Sequence, residues 1–470
     1  MTSSREEQRQ QNIQSWSSLP KEAVNPQGAE EVPSSSPARI EETTREGRYN
    51  YLMGLVLERG NMLQALRRVE KNKGAAGVDG MEIKSLRPYL FTHWEDIRNQ
   101  LLNGTYKPQP VRRVEIPKPD GGVRLLGIPT VLDRLIQQAL LQTLSPLFEL
   151  TFSPHSYGFR PGRKAQDAVK QAQAYIAEGF RYVVDMDLEK FFDRVNHDIL
   201  MSKLARRIAD KGVLKLIRGY LEAGVMSNGC CVVTEEGTPQ GGPLSPLLAN
   251  IMLDDLDKEL TQRGHRFVRY ADDCNIYVKS QRAGERVLGS VRKYVKERLK
   301  LKVNMEKSAV DRPWKRKFLG FSFTLHKEPK IRMAPKTLQR FKSKVRELTS
   351  RSRSQSMENR LKKLNEYLLG WSGYFRLADT RSVFRSLDEW IRRRLRMCLL
   401  KQWKKPVTKR RNLVRLGIPK DWASLISSSR IGHWRLAKTP QVNKALGLAF
   451  WRDQGLCSLV AKFDDFRSTT

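Results

Sequence analysis

Phe267-Val268-Arg269-Tyr270-Ala271-Asp272-Asp273-Cys274-Asn275-Ile276-Tyr277-Val278 is the stretch whose reading decides the fold. Two short runs rich in β-branched and aromatic residues flank an Ala-Asp-Asp step, the pattern of a β-hairpin with adjacent carboxylates at its tip. An Asp in such a turn can serve only local backbone hydrogen bonds. Paired carboxylates at a bend are costly to hold together unless a cation neutralises them. A second acidic strand candidate, Tyr182-Val183-Val184-Asp185-Met186-Asp187, leads into Leu188-Glu189-Lys190-Phe191-Phe192-Asp193. If Asp187 lies beside Asp272, three oxygen-donor side chains converge, the hard-ligand set that Mg²⁺ prefers. Two such ions roughly 4 Å apart can activate an attacking hydroxyl and stabilise a leaving pyrophosphate.

Tyr-Ala-Asp-Asp at 270–273, with Asp-Leu-Glu-Lys-Phe-Phe-Asp at 187–193, resembles the palm of reverse transcriptases, and above all the reverse transcriptase/maturase proteins encoded within group II introns. The points of resemblance run from about residue 49 onward. They imply an α+β right-hand polymerase, with fingers, an antiparallel-sheet palm, a helical thumb and a basic α-helical C-terminal region. The domains implied are a disordered leader at 1–48 and an N-terminal extension at 49–110. Fingers and palm follow at 111–330, a thumb and maturase domain at 331–415, and a DNA-binding tail at 416–470.

Composition agrees with a polyanionic partner. The chain has 470 residues, 39% of them hydrophobic, and a formal net charge of +36 from 86 Lys and Arg against 50 Asp and Glu. Charge repulsion of that size opposes compaction unless something neutralises it, with nucleic acid the first candidate and an anionic membrane the second. No apolar run reaches the eighteen or so residues of a membrane span. The N-terminus lacks an apolar signal core. Cys230, Cys231, Cys274, Cys398 and Cys457 form no Cys-x-x-Cys pair. A reducing, cytoplasmic setting, associated with the nucleoid, is expected.

Residues 1–48 are polar, with four prolines and a Ser-rich stretch, and read as disordered. Leu52, Leu55, Val56, Met62, Leu63 and Leu66 then recur at helical spacing. Gly77-Val78-Asp79-Gly80 is an ordinary turn taken alone and a recurrent sign of the family by resemblance. Residues 116–129 read as strand, Gly-containing turn, strand, where two cations could clamp a triphosphate or simply be solvated. By resemblance, Lys118 and Arg124 hold the incoming nucleotide. Ser156-Tyr157-Gly158-Phe159-Arg160-Pro161-Gly162-Arg163 is a second group II signature, and Arg160, Arg163 and an aromatic suit a template strand.

The resemblance assigns Asp187 as the first metal ligand, aided by the Leu188 carbonyl, and ranks Asp185 below it. Asp187 and Asp272 bridge two Mg²⁺ ions, with Asp273 secondary. Phe192 matches a steric gate beneath the nucleotide sugar; its other reading is a core Phe like Phe191. Residues 237–251 form a Gly/Pro-rich loop running into a helix, with glycines that allow close approach to a bound base pair and Gln240 along the nascent pair. Lys307, after Leu301-Lys302-Val303-Asn304, is a candidate general acid for pyrophosphate or a surface Lys. Phe318-Leu319-Gly320-Phe321-Ser322-Phe323 resembles the primer-grip hairpin, with Gly320 against the primer.

From Pro335 the character changes. Leu361, Leu364, Leu368, Trp371 and Phe375 mark the core face of an amphipathic helix. Residues 331–415 hold 25 Lys and Arg against 6 Asp and Glu, a net +19, and a solvated face would mix signs. The bias points to RNA or DNA, with Arg392, Arg393, Arg394 and Arg396 at its centre. Trp422, Trp434 and Trp451 read as core before base stacking.

The activity implied is RNA-directed DNA synthesis on an RNA template with a DNA primer and dNTPs. It would be coupled to binding an intron RNA, assisting its splicing and copying it into a DNA target during retrohoming. The rivals are an intron-free polymerase in defence or repair, and an RNA-binding maturase with a dead palm, which intact Asp187, Gln240, Asp272 and Asp273 oppose. No endonuclease motif of the His- and Cys-bearing type is seen, so a primer made elsewhere is expected.

Overall fold

In a computed structural model, the described residues are 49, 51–117, 122–227, 230–232, 236–238 and 241–468. The leader, Lys118 and Gln240 lie outside them. The chain forms two compact units, one of residues 1–164 with 184–310, the other of 165–183 with 311–470.

The first unit is built on a single apolar core. Helices Leu52–Leu57 and Arg59–Asn72 place Leu52, Val56, Met62 and Leu66 in it, as the helical spacing predicts, and helix Ile83–Leu102 adds Leu86. Strands β1 (Val111–Pro117) and β2 (Val123–Ile128) form an antiparallel hairpin, with Ile116 opposite Arg124. Helix Val131–Glu149 follows, capped by the Thr130 hydroxyl accepting from the Asp133 amide. Gly77 is no ordinary turn residue. A Cβ there would stand 2.6 Å from the Thr130 Cα, so the Gly-Val-Asp-Gly loop needs glycine to pack on the start of this helix.

Strand β3 (Tyr182–Met186) precedes helices His197–Ala205 and Lys211–Glu222, then short strands β4 (Val225–Ser227) and β5 (Cys230–Val232). Helix Ser245–Gln262 leads to β6 (Arg266–Tyr270) and β7 (Asp273–Val278), then helix Gln281–Arg298 and β8 (Ala309–Asp311). One sheet has the order β2-β1-β4-β5, with β4 parallel to β1. The other has the order β6-β7-β3-β8. The chain passes between the units within β3 and β8.

The second unit holds helix Ala165–Ala177 and the hairpin of β9 (Phe321–Phe323) with β10 (Ile331–Met333). Helices Pro335–Leu348, Met357–Phe375, Arg381–Gln402 and Pro406–Arg415 and five shorter ones complete it. Leu361, Leu364, Leu368, Trp371 and Phe375 are all buried on one face of Met357–Phe375. Trp451 is 1% exposed, as expected of a core residue, whereas Trp422 is 48% exposed and belongs to no core. Among the described residues, no helix is long and apolar enough to cross a membrane.

Candidate active site and nucleic-acid interface

The acidic hairpin forms as the sequence pattern requires. Tyr270 pairs with Asp273, leaving Ala271 and Asp272 as a two-residue turn. Ala271 sits at φ 57°, in the left-handed region that costs a residue with a Cβ. Because β3 is the neighbour of β7, Asp187, one residue past the end of β3, shares a sheet with this turn. Asp187 is fixed through its backbone: its amide donates to Ser308 Oγ at 3.0 Å, and its carbonyl accepts from the Asn304 amide at 2.8 Å. The Glu189 amide donates to the Lys302 carbonyl at 2.8 Å, so the bridge between Leu188 and Val303 leaves the Leu188 carbonyl out of the ladder. The Leu188 side chain itself is in the core.

The Lys307 ammonium stands 3.4 Å from Asp187 Oδ2, on a side chain that is 66% exposed. A mobile cation thus already accompanies this carboxylate. Among the described residues no three His, Cys, Asp or Glu side chains gather as a ligand set. Asp273 opens β7 and is exposed, while Asp272 occupies the turn. Successive side chains of a strand point to opposite faces, which separates neighbours in sequence. Asp187, Asp272 and the Leu188 carbonyl remain as hard oxygen donors, and one or two carboxylates completed by substrate phosphates suit Mg²⁺. Cys274, next to Asp273, is excluded from this chemistry: burial, and then the charge of Asp257, push its thiol up, so it stays neutral.

Phe192 is half-buried in a short 3₁₀ turn, its ring 5.1 Å from that of Phe191. It lines a cavity of about 460 Å³ with Arg113, Leu126 and Gly127 of the β1–β2 hairpin, Lys190, and Thr238. The Thr238 amide donates to the Phe192 carbonyl at 2.6 Å and the Gly237 amide to the Val195 carbonyl at 2.8 Å. The hydroxyl of Thr238 is buried without a hydrogen-bond partner. Arg124 is described here by its backbone alone, in register with Ile116.

The glycines after Thr238 have a packing reason within the protein itself. A Cβ on Gly241, at φ 129°, would lie 2.6 Å from the Gly127 carbonyl, and one on Gly242 would lie 2.5 Å from Gln137 Oε1. They allow the loop to close on the protein's own β2 and the helix behind it.

The Ser156–Arg163 motif also needs correcting. Arg160 is 7% exposed; its guanidinium donates to both Glu149 oxygens and to the carbonyls of Ser153 and Ser156. The Ser153 carbonyl also accepts from the Ser156 amide at 3.1 Å, so the guanidinium is held inside this loop rather than displayed on the surface. Arg163 donates to the Pro154 and Ser156 carbonyls and lies 5.3 Å from the Tyr157 ring centre. Phe159, 50% exposed and 6.5 Å from the Tyr270 ring, is the member that faces solvent beside the turn.

Sequence reading passed over Arg269, Asn250 and Asp257. Arg269 is 1% exposed and pairs through two N–H groups with Asp257, which is fully buried. The available signal was weak: Asn250 and Asp257 stand two helical turns apart between apolar residues of 247–260, but Asp254, Asp255, Lys258 and Glu259 share that stretch.

In the second unit, Gly320 has φ 85° and its carbonyl accepts from the Thr337 hydroxyl at 2.8 Å. A Cβ there would meet the Phe375 ring at 3.1 Å, so packing alone already requires glycine. The Arg392–Arg396 run does not stand uniformly on the surface. Arg396 is 5% exposed and donates to the Ala437 and Leu446 carbonyls. Burial, and then Arg392 and Arg393, push its guanidinium down to about 10. Arg394 donates to Thr349 and to the Arg346 carbonyl, and Arg393 stacks 3.8 Å over the Trp434 ring. Arg392 is half-buried. Exposed cations lie further along instead, at Lys401, Lys404, Lys405, Arg410, Arg411 and Arg415.

Comparison with known proteins agrees with this geometry. Residues 116–323 match the family model described as reverse transcriptase (RNA-dependent DNA polymerase), and the class of the protein follows. Residues 338–417 match the group II intron maturase-specific domain. Protein YkfC of Escherichia coli (strain K12) is 34% identical over 56% of this chain and 80% of its own length. The group II intron-encoded protein LtrA of Lactococcus lactis is 38% identical over 44% of this chain but 34% of its own length. The retron Mx65 reverse transcriptase of Myxococcus xanthus is 30% identical over 42% of this chain and 47% of its own. A solved Cas6-RT-Cas1–Cas2 complex is a partial likeness, at 26% identity, a TM-score of 0.35, and 52% and 42% coverage. The chain belongs to the group II intron reverse transcriptase/maturase family, whose polymerases work with divalent metal ions.

Proposed function

We propose that this protein copies RNA into DNA at the turn between β6 and β7, and does so while bound to an intron RNA whose splicing it assists and which it inserts into a DNA target. The observation that carries the polymerase reading is the sheet order, which lays β3 beside β7 and so puts Asp187 and Asp272 on one sheet. On this reading the first unit contains palm and fingers, and the β1–β2 hairpin closes over the nucleotide with Arg124 and Lys118. Asp187, Asp272 and the Leu188 carbonyl would hold two Mg²⁺ ions, with Asp273 secondary. Bound there, the ions would lower the pKa of the primer 3′-hydroxyl and neutralise the departing pyrophosphate.

The side chains do the rest. Lys307, within reach of Asp187, protonates the leaving pyrophosphate. Phe192 lies under the sugar, where a 2′-hydroxyl would clash with its ring. In the second unit, RNA phosphates are contacted by the exposed cations between Lys401 and Arg415, and the Arg392–Arg396 run supports them from within. The maturase-domain match at 338–417 supports an RNA partner.

Primer extension on an RNA template tests the site. Asp272→Asn should abolish extension while intron RNA binding stays within about twofold, because a single lost carboxylate leaves the cationic surface intact. Extension at the parental rate would overturn the assignment.

A further inference from the structure

Arg269 lies directly beneath the Ala271–Asp272 turn, and every one of its five N–H donors is engaged. Nε and one Nη2 hydrogen go to Asp257 at 2.7 and 2.6 Å, and the other Nη2 hydrogen to Ser156 Oγ at 2.8 Å. Nη1 donates to Asn250 Oδ1 at 3.0 Å and to the Ala271 carbonyl at 2.9 Å. Asn250 uses its other end as well, donating from Nδ2 to the Gly158 carbonyl at 2.9 Å. Gly158 completes a ring, since a Cβ there would lie 2.3 Å from the Ala271 amide nitrogen. The Tyr157 amide and the Arg269 carbonyl, and the Arg269 amide and the His155 carbonyl, tie the same segments along the backbone, each at 2.9 Å.

Three separate stretches therefore meet at one residue, Ala271: the Ser156–Gly158 loop, helix Ser245–Gln262 and the turn itself. Ala271 is held at a φ of 57° that an L side chain disfavours, and its carbonyl is gripped by a guanidinium buried on the far side from solvent. A planar five-donor fork can reach these acceptors together, whereas a lysine has three donors around one nitrogen and cannot.

We propose that Arg269, with Asn250 and Asp257, is a positioning residue for nucleotidyl transfer: the ring it closes with Gly158 fixes the Ala271–Asp272 peptide and so the direction in which Asp272 presents its carboxylate. This rests on the reading of Asp272 as a metal-binding residue. The ring touches neither nucleotide nor primer. Its effect is on where Asp272 points, which a metal-binding measurement reads directly.

The experiment uses the full-length protein with a chain-terminated primer on an RNA template, Mn²⁺ binding by electron paramagnetic resonance, and primer extension with Mg²⁺ in parallel. Melting curves give the folded fraction. Arg269→Lys keeps a cation opposite Asp257 and loses the fork. It should weaken Mn²⁺ binding at least about tenfold and slow extension about 10²-fold per folded molecule, the scale a 1 Å misplacement carries. Should that variant fail to fold, Asn250→Ser leaves the Arg269–Asp257 pair in place and should shift both readouts in the same direction. Lowered melting with parental metal affinity in the folded fraction would show a structural role alone and overturn the proposal. Asp272→Asn separates the two ideas. If it retains Mn²⁺ binding and extension, the site reading itself is wrong; if it loses both while Arg269→Lys and Asn250→Ser behave like the parent, only the ring is wrong.

Discussion

At the Tyr270–Asp273 turn two carboxylates occupy a hairpin tip, and a buried arginine donates to the Ala271 carbonyl behind it. In the Arg392–Arg396 run, the cations themselves are taken inward, to carbonyls at 346, 349, 437 and 446 and to the Trp434 ring. Both are dense charge signals in the sequence, yet one displays its charge and the other consumes it. A two-residue turn has an inside and an outside fixed by the ladder, so its polar residues must face solvent or a ligand. A helix turns through 3.6 residues, so four arginines within five positions point in all directions and cannot all share a solvent face. Charge density along a chain is therefore a poor guide to charge density on a surface once the segment is helical.

Breaking the first region should have the largest effect. Gly158→Ala places a methyl where the Ala271 amide now lies, 2.3 Å from the ideal Cβ. We expect extension to fall by about 10²-fold or more, with RNA affinity unchanged. Normal extension would mean that the turn can shift without consequence and that the ring is not taut.

The contrast between buried and exposed cations is sharpened by two variants of opposite character. Arg396→Met leaves the Ala437 and Leu446 carbonyls without their donor and should cost about 2 kcal/mol of stability, as buried unsatisfied groups do. It should leave the salt dependence of RNA binding as it was. Replacing Lys404, Lys405, Arg410 and Arg411 with Gln should do the reverse: unchanged melting, and a slope of log affinity against log salt lower by about 3, near 0.7–0.9 per lost phosphate contact. If Arg396→Met flattens the slope while folding is retained, the run does meet RNA and the comparison fails.

Phe192→Ala tests the cavity beside the first region. Opening space under the sugar should raise the ratio of ribo- to deoxynucleotide incorporation about tenfold, the lower end of what one lost apolar contact discriminates. An unchanged ratio would return Phe192 to the role of a core residue like its neighbour. The smallest effect belongs to Trp434→Ala, which removes the ring under Arg393 and should lower stability by about 1 kcal/mol, with extension unaffected.

The acidic hairpin, the strand leading to Asp187, the β1–β2 hairpin and the buried face of Met357–Phe375 were all legible from the residues alone. Each is a local pattern, with a period of two or 3.6 set by backbone geometry, and each ends in turn residues whose conformations are known in advance. Motif spacing added the polymerase reading, because the same few residue types recur wherever two metals handle a triphosphate. What tertiary structure alone decided is which polar side chain faces which way. Arg160 and Arg163 read alike in sequence, yet one is buried against Glu149 and the other lies over Tyr157. Gly241 and Gly242 read as loop glycines that let a base pair approach and Gly158 drew no reading of its own, yet each is also required by a contact with the protein's own backbone or with Gln137. Arg269 was the least visible, lying inside the most conspicuous motif. Its hydrogen bonds reach Asn250, Asp257 and Ser156, residues up to 113 positions away, and no local periodicity encodes an acceptor that only the fold brings within 3.0 Å.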